Sequence, residues 1–354
     1  MEGHQCGLRL PSCTGGCTAR QVRAATRLHY IEACICSTRQ HTPPAAAGQP
    51  TTTMGDGKPI PLVGLGTYLS DSGEETESSC LAALGAGYRH IDTAEGYENE
   101  ESVGVAIVRS GVPRADIFVT TKLWPGNADW GQPEPDFDAT ISACTASLRR
   151  LGLEYVDLYL IHAPFSRAHR LEQWRACLEL RRRGLCRSVG VSNYAERHLQ
   201  EIEDSGLDLP AVNQLELHPL NTKPELLAFM ASRNILPVAY SSLAPLSTWR
   251  RAKGHVTASA KSNELANASS SPFATIAAQY EDENGVLVDE ARLLLRWAVQ
   301  QGWPVLPKSS RQERVVSNLD LFSFQISTED MVNMCDMDEG LAMAWGAGDP
   351  CNTP

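Results

Sequence analysis

Eight short apolar runs of β-forming residues recur along the chain, and stretches with helical spacing lie between them. The runs are Leu62–Leu65, Tyr88–Ile91, Ile117–Thr121, Val156–Ile161, Ser188–Val191, Ala211–Leu215, Leu236–Tyr240 and Pro304–Leu306. Strands separated by helices pair in parallel, because each crossover returns the chain to the same end of the sheet. Eight such units close on themselves as a (β/α)8 TIM barrel, the expected fold within the α/β class. A length of 354 residues would otherwise suggest about two domains, and the closed barrel is the known exception to that prior.

The helical stretches carry their own punctuation. Phe137, Ile141, Cys144, Leu148 and Leu151 repeat on one face, with Asp136 as the expected cap and Gly152 as the expected stop. Leu171, Trp174 and Leu178 form a second face ending at Gly184, and Ala291, Leu294, Leu295, Ala298 and Val299 a third before Gly302. Thr222 is expected to cap a helix with Pro224 in its first turn. Ahead of the first barrel strand, Gly55-Asp56-Gly57 sits between short extended runs in Thr51–Pro61 and predicts an N-terminal β-hairpin. Ala244–Ser271 breaks the rhythm with a Ser/Ala/Asn-rich run and is expected to be a loop, solvated or acting as a lid.

Charge divides the chain near Pro50. Residues 1–50 hold five arginines, no lysine and two glutamates, about +3, whereas the remainder carries about −14 of the net −11. This 1–50 extension is expected to be poorly structured, and 51–354 to form the barrel. The extension reads either as an organelle transit peptide, which would send the protein to a plastid or mitochondrion, or as an untranslated leader with Met54 as the start of a cytoplasmic protein. It holds five of the eleven cysteines. The CxxxC and CxC spacings of Cys13, Cys17, Cys34 and Cys36 miss the common zinc pattern, so no metal is expected. An acidic chain without a basic block is a poor partner for nucleic acid. No stretch reaches the roughly 18 apolar residues of a membrane helix.

In a closed parallel barrel, functional groups project from the C-terminal ends of the strands. The second, third and fourth apolar runs lead into Asp92 and Tyr97, Lys122, and His162. A phenol ordinarily titrates near 10, a neighbouring ammonium favours its ionised form, and a buried lysine stays charged only beside a carboxylate such as Asp92. A histidine in the same group would hydrogen-bond a carbonyl oxygen. The set suits protonation of that oxygen as a hydride reaches its carbon. Singly, each residue has an ordinary structural reading; together, at the ends of three successive strands, they form a candidate catalytic group.

Several phrases also carry a family resemblance. Gly87-Tyr88-Arg89-His90-Ile91-Asp92-Thr93-Ala94 with Tyr97-Glu98-Asn99-Glu100 resembles the signature of the aldo-keto reductase superfamily. So do Leu158–His162, Gly190–Tyr194, Val212-Asn213-Gln214, and Pro307-Lys308-Ser309 with Arg314 and Asn318. The resemblance spans about residues 51–346 in family order. It implies a catalytic tetrad of Asp92, Tyr97, Lys122 and His162, in which Tyr97 is the general acid, Lys122 paired with Asp92 lowers its pKa, and His162 orients the carbonyl.

The same resemblance implies NADPH as cofactor, held across the barrel mouth without a Rossmann domain. Gly64-Leu65-Gly66 opens a GxG, but Leu69 stands where the third glycine of the dinucleotide fingerprint belongs, and no tyrosine has a lysine four residues later. The implied cofactor contacts are Gly66, Thr67, Asp92, Ser192, Asn193, Gln214, Tyr240, Ser241, Leu243, Lys308, Ser309, Arg314 and Asn318. Among them Ser192, Asn193 and Gln214 hold the carboxamide, Tyr240 stacks on the nicotinamide, and Lys308, Ser309 and Arg314 grip the 2′-phosphate. A guanidinium and an ammonium around a phosphate favour NADPH over NADH.

Tyr68, Tyr97, Trp124 and His162 are the implied substrate contacts. Ala163 stands where many family members have tryptophan, so the pocket is expected to be roomier beside His162. The segment after Trp345 is expected to be short for a specificity loop. The expected activity is NADPH-dependent reduction of aldehydes and ketones, on a broad range of small-molecule carbonyls, by a monomer. The competing readings are an NADPH-binding barrel that serves as redox sensor or regulatory subunit, and a non-catalytic barrel with metal-binding N-terminal cysteines.

Overall fold

The computed structural model describes residues 49–246 and 271–354. Its first element is the expected hairpin, β1 (Thr51–Thr53) against β2 (Pro59–Pro61), antiparallel and turned at Gly55–Gly57. Seven parallel strands follow in sequential order: β3 (Leu65–Gly66), β4 (His90–Asp92), β5 (Phe118–Leu123), β6 (Val156–Ile161), β7 (Cys186–Ser192), β8 (Val212–Glu216) and β9 (Leu236–Tyr240). Val305 closes the ring, bridging Val63 on one side and Ala239 on the other. The eighth apolar run therefore lies in the eighth strand position. Pro304 and Pro307 have no N–H to donate, which limits it to single bridges rather than a full ladder.

Between the strands run α1 (Glu74–Ala86), α2 (Glu100–Arg109), α3 (Phe137–Leu151), α4 (Arg170–Arg182), α5 (Glu196–Asp204) and α6 (Pro224–Ala231). After β9 come α7 (Pro272–Ala277), α8 (Glu290–Gln300), α9 (Gln312–Ser317) and α10 (Thr328–Cys335). The cap of α3 is as expected: the Asp136 carboxylate accepts from the Ala139 N–H at 2.9 Å, and Gly152 ends the helix in the left-handed region. At α6 the expectation fails. Lys223 holds the cap position ahead of Pro224, and the Thr222 hydroxyl instead donates to Asp338 at 2.8 Å.

The fourth and seventh runs coincide with β6 and β9, and the other strand limits differ from their runs by one to three residues, for a physical reason. The runs mark burial, whereas the ladders extend to polar residues such as Asp92, Lys122 and Ser192, which have no apolar signature. The strand pleat divides each strand between two cores. Tyr159 and Ile161 of β6 face the helices and join the large outer core, while Leu158 and Leu160 join Val212, Val238, Leu306, Met54 and Ile60 inside the barrel. Met54 and Ile60 belong to the hairpin, which plugs the N-terminal end: Gly55 N–H donates to Ala211 O, and Lys58 reaches Arg187 O.

Of the Ala244–Ser271 loop, Ala244–Leu246 form a single 3₁₀ turn and Ser271 caps α7. Residues 247–270 lie outside the described residues, as do residues 1–48 with their five cysteines. The six described cysteines are buried and free.

Candidate active site

The inward phase of the pleat decides what reaches the open end of the barrel. Continued to the C-terminal ends, it presents Asp92 on β4, Lys122 on β5, His162 just after β6, Ser192 on β7, Gln214 on β8 and Tyr240 on β9. Tyr97 arrives on the 3₁₀ turn Glu95–Tyr97 that follows β4. A cleft of about 950 Å³ opens there, walled by Asp92, Tyr97, Trp124, His162, Ser192 and Gln214 at one end and by Lys308, Arg314 and Asn318 at the other.

At the floor, Lys122 is fully buried and its ammonium donates to Asp92 Oδ1 at 2.5 Å, to Thr93 O at 2.9 Å and to Tyr97 Oη at 3.3 Å. The His162 Nε2 lies 3.4 Å from the same phenolic oxygen. Tyr97 is thus the meeting point of the four residues singled out in the sequence. The charges around it do not lower its pKa. Burial first, then the Asp92 carboxylate and the Tyr68 phenol, hold Tyr97 well above the ordinary tyrosine value. The implied depression by Lys122 is outweighed, because desolvation penalises a phenolate on every side while one ammonium favours it on one. Burial also lowers Lys122, against the opposing pull of Asp92. His162 is pushed well below the usual imidazole range, by burial and then by the Lys122 charge. It is neutral, and its Nδ1 is buried with no hydrogen-bond partner among the described residues. At neutral pH the site holds a protonated phenol beside a neutral imidazole.

The remaining polar groups form a network with Asp92. Gln214 Nε2 donates to Asp92 Oδ2 at 2.9 Å. Ser192 Oγ donates to Gln214 O, and Asn193 Nδ2 donates to His162 O at 2.9 Å. Asn193 takes a positive φ of 63°, a conformation asparagine tolerates better than most residues. The Tyr240 hydroxyl donates to Asn193 Oδ1 at 2.7 Å.

Of the other sequence-derived residues, Gly66, Ser241, Leu243 and Ser309 also line the cleft, as does Tyr68. Thr67 does not. It is buried, and its hydroxyl donates to Asp92 O at 3.0 Å, which supports the Asp92 backbone from behind. Gly66 is required by close approach: a Cβ there would lie 2.8 Å from Leu306 O, where the ring closes.

Four contributors were not singled out in the sequence. Phe165 and Trp130 surround Trp124, and Trp345 lies with its ring 6.5 Å from Trp124 and 5.9 Å from His162. The available signals were Phe165 in the loop directly after a barrel strand, and a lone aromatic at 345 in a stretch of small and glycine residues. The fourth is Glu95, whose carboxylate accepts from the Trp124 N–H at 3.1 Å and fixes the start of that loop.

Comparison with known proteins agrees with this architecture. The family model described as the aldo/keto reductase family matches residues 63–339. An aldo-keto reductase of Mycolicibacterium vanbaalenii is 42% identical over 298 residues, covering 84% of this chain and 95% of the relative. One from Mycolicibacterium smegmatis is 41% identical over 293 residues, covering 82% of this chain and 94% of its own. Among solved structures, a Bombyx mori aldo-keto reductase in complex with NADP superposes with a TM-score of 0.70 at 30% identity, covering 84% of this chain and 96% of that one. An aldo/keto reductase from Brucella melitensis gives 0.68 at 37% identity, over 82% of this chain and 100% of that one. With the family match over most of its length and a parallel barrel carrying these four residues at its open end, this chain belongs to the aldo/keto reductase family of oxidoreductases.

Proposed function

We propose that this protein reduces aldehydes and ketones to alcohols with NADPH, using Tyr97 as general acid. The observation that carries the reading is the single phenolic oxygen at the cleft floor, contacted by the buried Lys122–Asp92 pair and by His162.

The cleft suits a dinucleotide phosphate on its own residues. Ser242 lines it with a buried hydroxyl that has no hydrogen-bond partner among the described residues. Arg314 is exposed at the far end and has no carboxylate partner among them. Gly66 leaves the wall bare of side chain beside Leu306. On this reading Ser192, Asn193, Gln214 and Tyr240 hold the nicotinamide end, Ser241 and Leu243 the middle, and Lys308, Ser309, Arg314 and Asn318 the adenosine 2′-phosphate end.

Bound NADPH supplies the hydride. The protein supplies the rest. His162, neutral, donates a hydrogen bond from Nε2 to the substrate carbonyl oxygen and orients it beside Tyr97. Tyr97, kept protonated by its burial, gives its proton to that oxygen as negative charge develops there. Lys122 steadies the resulting phenolate, and Asp92 holds Lys122 in place through its shorter bond. The aromatic wall of Trp124, Phe165 and Trp345 keeps water from the reacting carbon.

The test is turnover by the full chain with NADPH and short aliphatic, aromatic and sugar aldehydes, following cofactor oxidation and alcohol formation together. Equimolar alcohol and oxidised cofactor are expected. Tight NADPH binding with no alcohol from any aldehyde would replace this reading with that of a cofactor-binding sensor or subunit.

A further inference from the structure

Glu216, at the end of β8, is a carboxylate on the inward phase with only 2% of its surface exposed, yet it pairs with no lysine or arginine among the described residues. Its partners are two backbone amides and one imidazole. Oε1 accepts from the Met343 N–H at 2.6 Å, Oε2 from the Ala344 N–H at 3.0 Å, and His218 Nε2 lies 3.1 Å from Oε1. A buried charge satisfied by two amides of one distant segment fixes that segment strongly, since leaving either side unpaired is costly.

The next residue is Trp345. Its indole N–H donates to the Tyr240 hydroxyl at 2.9 Å, and its ring stands edge-on to His162 and Phe165 and within 15° of parallel to Trp124. Beyond it the segment is tied down again. Lys223 pairs with Asp349, Arg197 donates to Cys351 O at 2.7 Å, and His198 donates to Thr353 O at 2.8 Å. On the near side, Leu341 N–H donates to Leu220 O. Trp345 therefore sits between two anchorages, and Glu216 is the anchor adjacent to it.

Building on the reductase reading, we infer that Glu216 is a positioning residue: through Met343 and Ala344 it sets Trp345 as the wall that selects carbonyl substrates with an aryl or other flat apolar substituent. The carboxylate makes the selection indirectly, touching neither carbonyl nor cofactor. Its charge also adds to burial in raising Tyr240, so the tyrosine keeps the proton it donates to Asn193.

The experiment compares Glu216→Gln, Trp345→Ala and the double variant in the full chain. Glutamine has the same shape, but its NH₂ must face an N–H donor, so one backbone bond is lost and a donor clash replaces it. For Glu216→Gln, KM for an aryl aldehyde is expected to rise roughly tenfold, the scale of a lost charged hydrogen bond. Its kcat with a short aliphatic aldehyde should stay within about twofold. Amide hydrogen exchange at Met343 and Ala344 should accelerate. Trp345→Ala should raise the aryl KM by a similar factor, and the double variant should add little to either. Equal losses for aryl and short aldehydes, additive effects in the double variant, or unchanged exchange would each overturn the assignment. If Glu216→Gln fails to fold, Trp345→Ala alone still decides whether the wall selects aryl substrates, and no effect on the aryl KM would sink the idea. Absence of turnover with every aldehyde in the unaltered chain would count against the reductase reading instead, while exchange at Met343 and Ala344 would still report on Glu216.

Discussion

At the scale of the residue, the account rests on how burial outweighs charge around Tyr97. A phenol held above its ordinary pKa stays protonated throughout the neutral range, so the proton-donating form is fully populated there, and its phenolate readily takes a proton back. Carbonyl reduction should therefore be nearly flat from pH 6.5 to 9, whereas alcohol oxidation, which needs the phenolate, should rise with pH through the alkaline range. Parallel profiles for the two directions would contradict this. Removing the buried ammonium by Lys122→Met leaves Asp92 buried without its ion-pair partner, and unfolding in urea should show a loss of about 3 kcal/mol or more. At the far end of the cleft, Lys308 shares its charge with Glu75 at 3.1 Å, while Arg314 has no such competitor among the described residues. Arg314→Ala should therefore weaken NADPH by about tenfold or more and leave NADH nearly unchanged in direct titrations. Equal losses would show that Arg314 does not read the 2′-phosphate.

At the scale of the element, close packing between helices and the seating of the C-terminal segment set the sensitive points. Gly104 lies inside α2 with helical geometry, and a Cβ there would fall 2.2 Å from Leu151 O at the end of α3. Gly104→Ala should gain helix propensity of roughly 1 kcal/mol and lose more through the displaced helix, for a net destabilisation of about 2 kcal/mol in urea unfolding. A stabilised variant would show that α2 can move away freely. On α5, His198 accepts from the Ala195 N–H and donates to Thr353 O, and burial lowers its pKa to about 4. The fold holds it neutral, so the unfolded chain binds more protons between about pH 6.5 and 4, and stability falls as pH falls through that window. Its share is on the order of 3 kcal/mol when fully developed, and His90, lowered to about 3, acts in the same direction. Urea titrations at pH 7 and pH 5 should show the loss, and His198→Asn should make the slope shallower. An unchanged slope would mean that His198 is not held neutral.

At the scale of the whole molecule, the sequence carried the architecture because one physical regularity repeats. Apolar strand runs alternating with helical stretches appear eight times, and the pleat then sends Asp92, Lys122 and His162 to one end of one barrel without any further signal. What the sequence did not display depends on contacts between distant segments. Thr67 turned out to brace Asp92 because the backbone carbonyl of β4 lies against it. Thr222 bonds to Asp338 rather than capping α6, since a partner 116 residues away competes with the helix start. Trp345 joins the pocket only because the C-terminal segment folds back over the barrel mouth, a path that no local pattern encodes. The upward balance at Tyr97 was hidden for a related reason: residue types reveal which charges meet, but not how deeply they are buried.

The most direct test of the central claim is Tyr97→Phe, assayed for both NADPH affinity and aldehyde turnover. Phenylalanine keeps the ring that packs against Tyr68 and His162 and removes only the hydroxyl. The account predicts NADPH binding within about twofold of the unaltered protein and kcat for aldehyde reduction lower by roughly two orders of magnitude or more. Near-normal turnover in Tyr97→Phe would contradict it, because the proton would then come from elsewhere.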